Sequence, residues 1–207
     1  RNATVEARGH SFHQTHTTPI PRYGGLALAA SFVVIVLCAH VFLDIPADRG
    51  RDNWGMVVTA LAMFALGFAD DIRPLGARKK LVGQILIATV AATFVSNIER
   101  FQNPVSGVIY ELNWVWGKSF TVLWLVAFTN LVNLIDGIDG LAAGLALMLM
   151  GLLAYVGGSA GMILPVACAA GMAGALVAFL RFNFPPARIH LGDGGAYFLG
   201  FLIGIIA

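Results

Sequence analysis

Long apolar runs separated by short polar segments dominate the pattern of this chain. Six runs approach the length of a membrane span, and they cover residues 24–43, 53–69, 81–96, 119–135, 140–158 and 161–180. A seventh apolar run covers only residues 195–207, whereas a spanning helix needs about 20 residues. The third run is the weakest of the six, because Lys79 and Lys80 stand at its start. The pattern predicts an all-α integral membrane protein, a bundle of about seven transmembrane helices.

Composition agrees with a bilayer as the solvent. Hydrophobic residues make up 58% of the chain and charged residues only 12%, and the formal net charge is +2. Such a small charge, without any nucleic-acid-binding motif, excludes nucleic acid as an expected partner. The chain begins with RNATVEARGH, without an initiator Met, and ends inside an apolar run. We therefore expect one transmembrane domain, residues 1–207, cut at both ends.

The basic residues predict an orientation. If residues 1–23 lie inside the cell, the inside segments are 1–23, 70–80, 136–139 and 181–194. These segments carry nine of the thirteen Lys and Arg residues of the chain: Arg1, Arg8, Arg22, Arg73, Arg78, Lys79, Lys80, Arg181 and Arg188. Because cytoplasmic loops are enriched in Lys and Arg, this bias supports the assignment. The face that carries these loops is expected to be cytoplasmic.

Five aspartates fall on that same face. They are Asp70, Asp71, Asp136, Asp139 and Asp193, all at the ends of apolar runs. An unpaired carboxylate beside hydrocarbon is costly, so the group needs a cation, a proton pathway or a basic substrate. An ion- or proton-coupled transporter is the alternative to an enzyme, but its acids should lie near the middle of the spans. A purely structural subunit leaves the five carboxylates unexplained.

The first motif is FADDIRPLGARKKLVGQ, residues 68–84. Like charges as close as Asp70 and Asp71 push their pKa values apart, so one carboxylate can meet a metal while the other accepts a proton. The basic run of Arg78, Lys79 and Lys80 offers cations for a phosphate. The alternative interpretation is a solvated loop that caps the next helix.

The second motif is TNLVNLIDGIDGLAAG, residues 129–144. Asn130, Asn133 and Asp136 follow one another at intervals of three, so their oxygens share one helix face. Amide and carboxylate oxygens suit a hard cation or a ribose. A structural polar stripe between packed helices is the alternative.

The third motif is RFNFPPARIHLGDGGAYFLG, residues 181–200. Asp193 stands between glycines just before an apolar helix, where backbone amides can approach a phosphate or the acid can face a metal. For this motif alone, a helix N-cap aspartate is the simpler interpretation.

The order of PRYGG and these three motifs, over residues 9–207, resembles the polyprenyl-phosphate N-acetylhexosamine-1-phosphate transferase family, glycosyltransferase family 4. The PRYGG and NLIDGIDG forms are more similar to the branch that starts O-antigen, enterobacterial common antigen or teichoic acid synthesis than to the peptidoglycan-precursor branch. The resemblance implies transfer of a sugar-1-phosphate from a UDP-sugar to undecaprenyl phosphate, with release of UMP. It also implies a magnesium cofactor, with manganese as a substitute, and the bacterial inner membrane as location; a homodimer is compatible with it.

The resemblance assigns roles by position. Asp70 and Asp71 match the family's catalytic aspartate pair, and Asn133 and Asp193 match residues that the family uses around magnesium. Substrate contacts are expected from Lys80 at the diphosphate, Asp136 and Asp139 in the nucleotide loop, Asn130 and His16. One departure is Gly194, where the family commonly has Ser or Thr, which indicates a subgroup with a different sugar. The family's later histidine-bearing loop is expected beyond Ala207.

Overall fold

The computed structural model describes residues 21–43, 45, 50–95, 98–103 and 105–207. This part of the chain contains seven helices: α1 Gly24–Phe42, α2 Gly50–Ile72, α3 Ala77–Phe94, α4 Trp114–Ile135, α5 Leu141–Ser159, α6 Ile163–Asn183 and α7 Gly192–Ile206. Each helix coincides with one predicted apolar run. The predicted all-α membrane class is therefore confirmed. Five helices, α1, α2, α4, α5 and α6, are long and apolar enough to cross a membrane.

Glycine and proline set the tight turns at one end of the bundle. α2 ends two residues before Pro74, and α3 begins after Gly76, whose φ of 78° favours glycine. Gly140, with φ of 75°, separates α4 from α5 in the same way. These short connections leave Asp70, Asp71 and Asp136 directly at helix ends, where the sequence analysis expected them.

The seventh helix is the centre of the bundle. α1 to α5 each pack against the next helix along the chain, and α6 packs back against α1, while α7 contacts α1, α2, α4 and α5. Tyr197, Phe198 and Phe201 are among the largest fully buried side chains. The ring of Phe198 lies 5.4 Å from that of Phe32 in an edge-on arrangement. The shortest predicted run thus forms the core around which the other helices are arranged.

A small hairpin lies at the opposite end of the bundle from the aspartates. β1 (Arg100–Gln102) pairs antiparallel with β2 (Ile109–Glu111), and Phe101 lies opposite Tyr110. The hairpin connects the end of α3 to the start of α4. The hydropathy pattern did not predict it, because three-residue strands are too short to show an alternating pattern.

Candidate active site at the start of the central helix

The structure brings the three predicted motifs together around Asp193, in the first turn of α7. The Nζ atom of Lys80, in α3, donates to Asp193 Oδ2 at 3.3 Å and to Asp70 Oδ2, near the end of α2, at 2.8 Å. Asn133, near the end of α4, donates from Nδ2 to Asp193 Oδ1 at 3.1 Å. Four helices therefore contribute one side chain each to a single polar cluster at the end of the bundle.

The two adjacent aspartates have different partners. Asp70 accepts the backbone N–H of Leu75 through Oδ1 at 2.7 Å, and its side chain is only 9% exposed. Asp71 instead accepts the backbone N–H of Asp193 through Oδ1 at 2.9 Å and that of Gly194 through Oδ2 at 2.8 Å. Asp70 faces the lysine across the site, whereas Asp71 binds backbone.

Asp71 supplies a cap for α7 from another helix. The first amides of a helix lack intrahelical acceptors and carry partial positive charge, so a carboxylate there is favourable. No side chain at the N-cap residue of α7, Leu191, makes a cap hydrogen bond. The side chain of Asp193 instead accepts hydrogen bonds from Lys80 and Asn133. The simpler interpretation of Asp193 as an N-cap is therefore not what the structure contains.

Glycines let α2 and α7 touch through their backbones. A Cβ atom on Gly67 would overlap the carbonyl oxygen of Asp193, and one on Gly194 would lie 3.0 Å from the backbone nitrogen of Phe68. Gly192 has φ of 78°, so it favours glycine for its conformation as well. The GDGG sequence thus serves close helix contact, and it also places Asp193 beside Lys80.

The PRYGG motif docks the start of α1 on the segment before α7. Gly24 and Gly25 donate their backbone N–H groups to the carbonyl oxygens of His190 and Leu191, at 3.1 and 2.9 Å. This places α1 against the start of the central helix. His16, the predicted basic residue ahead of this motif, lies outside the described residues, so its role stays a prediction.

The turn between α4 and α5 is bound to the segment before α7. Asp139 accepts the backbone N–H of Ala187 through Oδ2 at 2.9 Å, and its Oδ1 lies 3.8 Å from Nδ1 of His190. Asn183 makes the second link. Its Oδ1 accepts the N–H of Gly140 at 3.1 Å, and its Nδ2 donates to the carbonyl oxygen of Ile189 at 2.9 Å. The predicted nucleotide loop is therefore held at the end that leads into α5, through Asp139 and Gly140.

Asn183 is a residue that the sequence analysis missed. It is 3% exposed, and its amide joins backbone groups of two different connections. The available signal was an amide side chain at the end of an apolar run, in the sequence RFNFPP. A buried amide needs hydrogen-bond partners, so this position indicated a structural link without showing its target.

Negative charge exceeds positive charge in the cluster. Burial raises the pKa of Asp136 to about 7, and the neighbouring charges of Asp193 and Asp71 add to the effect, while Arg22 opposes it. Asp136 directly follows α4 and is partly buried. A cation bound near Asp193 and Asp71 would stabilise the ionised form of Asp136 and lower its pKa.

The polar stripe predicted on α4 is present. Asn130 lies one turn before Asn133 and donates from Nδ2 to Gln84 Oε1, on α3, at 2.7 Å. It also donates to the carbonyl oxygen of Val126 at 2.8 Å. Asn130 is exposed, whereas Gln84 is 1% exposed.

The oxygen donors fit a magnesium or manganese ion. Within the described residues, no three His, Cys, Asp or Glu side chains stand close enough to hold a metal. Magnesium, however, is usually bound by one or two carboxylates together with water and substrate phosphates, not by a closed protein cage. The carboxylate of Asp193 and the amide oxygen of Asn133 are hard donors of the kind that such a site would use. The surplus negative charge around Asp136 also suits a divalent cation.

Comparison with known proteins identifies the family. A family model described as "Glycosyl transferase family 4" matches residues 53–207. A "Probable undecaprenyl-phosphate N-acetylglucosaminyl 1-phosphate transferase" of Bacillus subtilis (strain 168) is 33% identical over 197 residues, 95% of this chain and 53% of the relative.

Two further relatives are transferases with other named substrates. A "Phospho-N-acetylmuramoyl-pentapeptide-transferase" of Lactobacillus acidophilus is 32% identical over 208 residues, 95% of this chain and 62% of the relative. A "Decaprenyl-phosphate N-acetylglucosaminephosphotransferase" of Mycolicibacterium smegmatis is 34% identical over 203 residues, 91% of this chain and 49% of the relative. The chain thus matches about half to three-fifths of the length of these relatives. The chain belongs to glycosyl transferase family 4, and the resemblance of its motifs to the polyprenyl-phosphate N-acetylhexosamine-1-phosphate transferases is confirmed.

Proposed function

We propose that the full-length protein transfers a sugar-1-phosphate from a UDP-sugar to undecaprenyl phosphate and releases UMP. The sugar is an N-acetylhexosamine, and the product starts synthesis of a cell-envelope polysaccharide of the O-antigen, enterobacterial common antigen or teichoic acid class. The observation that carries this proposal is the convergence of Asp70, Lys80 and Asn133, from three helices, on Asp193 of a fourth. Two of the relatives above have names that specify a polyprenyl phosphate as the lipid on which they act.

The reaction places two phosphate-bearing substrates side by side, so the site must offset negative charge before it can align them. Among the residues that the structure describes, Lys80 is the cation best placed for the donor diphosphate, because its Nζ lies between two carboxylates. A diphosphate bound at this position would form an ion pair with the Lys80 ammonium in place of Asp70. The carboxylate of Asp70 would then be free to act on the lipid phosphate. Positive charge fixed where the leaving group develops negative charge lowers the barrier.

Asp70 is the proposed base. Its Oδ1 is fixed by the N–H of Leu75, so Oδ2 points to the site with a defined orientation. We propose that this oxygen accepts or positions the proton of the lipid phosphate, which attacks the donor diphosphate directly. A two-step route through an aspartyl-phosphate intermediate on Asp70 is the alternative. Asp71 does not contact the reacting groups in this scheme but holds the start of α7.

Magnesium would be held by Asp193 and Asn133 and would stabilise charge on the diphosphate oxygens. The turn of residues 136–140 is the proposed site of the nucleotide, with Asp136 and Asp139 as its acids. Because Asn183 and Asp139 bind this turn to the segment before α7, the nucleotide site keeps a constant distance from Asp193. The positive-inside bias of the loops supports a cytoplasmic active face in the bacterial inner membrane.

The test is UMP release from the full-length protein with undecaprenyl phosphate, magnesium and a panel of UDP-sugars. Asp70→Asn and Asp193→Asn should abolish release, since each removes a charge from the cluster while keeping its shape. Glu111→Gln, an exposed acid in the distant hairpin, is the matched control and should leave turnover unchanged. Near-normal turnover in Asp70→Asn or Asp193→Asn would exclude these roles. A transporter is not favoured, because the acids lie at helix ends.

A further inference from the structure

A pair of amide side chains joins α3 and α4 one helical turn away from the candidate active site. Asn130 Nδ2 donates to Gln84 Oε1 at 2.7 Å, and Gln84 Nε2 donates in return to Asn130 Oδ1 at 3.4 Å. Gln84 is 1% exposed. Its buried amide therefore obtains its hydrogen bonds from the neighbouring helix.

The positions of the pair tie it to the site. Gln84 follows Lys80 by four residues on α3, and Asn130 precedes Asn133 by three residues on α4. Residues at these spacings share a helix face. Lys80 and Asn133 both contact Asp193, so the two helices are linked twice in succession: through Asp193 at the site, and through the amide pair one turn deeper.

Apart from the amide pair, the fully buried face of α3 offers only small side chains to hold this arrangement. The buried residues of α3 are Gln84, Ala88, Ala91 and Ala92. Alanine side chains let helices approach closely but interlock little, so a helix with an alanine face can turn or slide at small cost. A reciprocal amide pair allows only one rotation and one register, because any other leaves a buried donor and acceptor without partners.

We propose that Gln84 and Asn130 are a positioning pair that sets where Lys80 stands relative to Asp193 and Asn133. The inference rests on the proposed function for the role of Lys80 at the diphosphate. It assigns a role to Gln84, and it makes Asn130 act through Gln84 in place of direct contact with the substrate. Losing the pair displaces the Lys80 ammonium, although neither amide touches the reacting atoms.

The first test measures the position of Lys80 without catalysis. The full-length protein, in lipid, is labelled with a small amine-acylating reagent, and modification of Lys80 is quantified by mass spectrometry against its exposed neighbour Lys79. In the wild type, the ion pairs with Asp70 and Asp193 protect Lys80. Gln84→Leu and Asn130→Leu should each raise the Lys80 to Lys79 labelling ratio severalfold. If Gln84→Leu does not yield folded protein, the labelling ratio of Asn130→Leu, at the exposed member of the pair, decides the test by itself.

Trp124→Phe is the matched control. It also removes a hydrogen bond between helices, from Trp124 Nε1 to the carbonyl oxygen of Gly204 at 3.0 Å, but toward the other end of α4. It should lower the unfolding temperature and leave the labelling ratio unchanged. An unchanged ratio in both Gln84→Leu and Asn130→Leu, or an equal rise in Trp124→Phe, would overturn the positioning role.

The second test separates positioning from substrate contact. Because small misplacements of a catalytic group cost rate, each single variant should lower kcat on the order of tenfold with little change in the KM for the UDP-sugar. The double variant should be no slower than either single one, since both remove the same link. Additive losses, or a raised KM in Asn130→Leu alone, would show that Asn130 contacts the substrate. If the wild type releases no UMP, the proposed function fails and the Lys80 labelling decides the present inference alone.

Discussion

The two sides of the candidate site are built by different means. On the α2–α7 side, Gly67 and Gly194 bring backbones into contact, and Asp71 accepts two consecutive backbone N–H groups. On the α3–α4 side, the contacts are side chain to side chain, through Lys80, Asn133 and the Gln84–Asn130 pair. Backbone contact cannot adjust without parting the helices, whereas side chains can exchange partners by rotating.

This difference suits a site that must admit two phosphate-bearing substrates. The α2–α7 side fixes where Asp193 stands. On the α3–α4 side, the Gln84–Asn130 pair holds the two helices, while the side chains of Lys80 and Asn133 can turn toward a ligand. Lys80 can leave one carboxylate for a phosphate without any movement of α7. The comparison predicts that substitutions on the α2–α7 side affect folding most, and that those on the α3–α4 side affect chemistry more than folding.

The largest effect on stability is expected from Gly67→Ala. The new methyl group would overlap the carbonyl oxygen of Asp193, so α2 and α7 would have to separate. We expect a loss of about 3 kcal/mol of folding free energy, typical of overpacking at a tight contact, together with loss of UMP release. Thermal unfolding in lipid nanodiscs measures the first effect. Gly174→Ala is the control, because a Cβ there meets nothing within 4 Å; equal stability of the two variants would refute the close contact.

The next largest effect is expected from Asp71→Ala. The change leaves the N–H groups of Asp193 and Gly194 without their carboxylate acceptor, which should cost about 2 kcal/mol. Asn113→Ala removes a helix cap at the other end of the bundle, where Asn113 Oδ1 accepts the N–H of Trp116 at 3.0 Å, and should cost about 1 kcal/mol. Asn113→Ala is the control, and it should release UMP at the wild-type rate. Asp70→Asn, in contrast, should lose UMP release with little loss of stability. An unstable Asp70→Asn together with a stable Asp71→Ala would mean that Asp70, and not Asp71, is the structural residue of the pair.

Asp136 directly follows α4 and interacts with the charges of Asp193 and Asp71. Its ionisation makes the folding free energy of the protein depend on pH. Its pKa is about 7 in the folded protein against an ordinary value of 3.8. Ionising it therefore costs folding free energy progressively as the pH rises from about 4 to about 7, and the full cost remains at higher pH. Asp136→Asn should be more stable than the wild type at pH 8 by about 1 kcal/mol, after allowing for partial solvent screening.

The difference in stability between Asp136→Asn and the wild type should be smaller at pH 5, where Asp136 of the folded wild type is mostly protonated. It should also narrow at pH 8 when magnesium is added, because a bound cation offsets the charges of Asp193 and Asp71. Unfolding temperatures of both proteins at the two pH values, with and without magnesium, test this. Parallel pH profiles would show that Asp136 does not carry the surplus charge.

Hydropathy and the placement of Lys and Arg were sufficient to predict the helices and the shared face of the aspartates. The same information could not place α7 at the centre, because in a membrane protein an apolar run has the same pattern whether it faces lipid or other helices. Nor could it separate Asp70 from Asp71. The two are chemically identical neighbours, and the backbone partners of Asp71 are more than a hundred residues away along the chain.

Polar residues inside apolar runs were the signals least used. Gln84 interrupts an apolar run and Asn183 follows the end of one, and each is buried with partners on another segment. A single sequence shows that such an amide needs a partner but not which one, because hydrogen bonds between helices depend on their packing. Both residues lie inside predicted motifs, Gln84 at the end of the first and Asn183 near the start of the third, yet only the charged residues of those motifs and Asn130 and Asn133 were given roles.

The smallest effect on stability is expected from Lys80→Gln. The side chain of Lys80 is 25% exposed, and ion pairs near a surface contribute little, so the loss should be no more than about 0.5 kcal/mol, with the new amide still able to donate to Asp70. UMP release should nevertheless fall on the order of a hundredfold, because the charge opposite the leaving group is gone. Lys79→Gln, at the exposed neighbour, should change neither quantity. If Lys80→Gln lost as much stability as Gly67→Ala, the α3–α4 side would be as rigid as the α2–α7 side. Lys80 would then stabilise the fold and would not be available to bind the substrate.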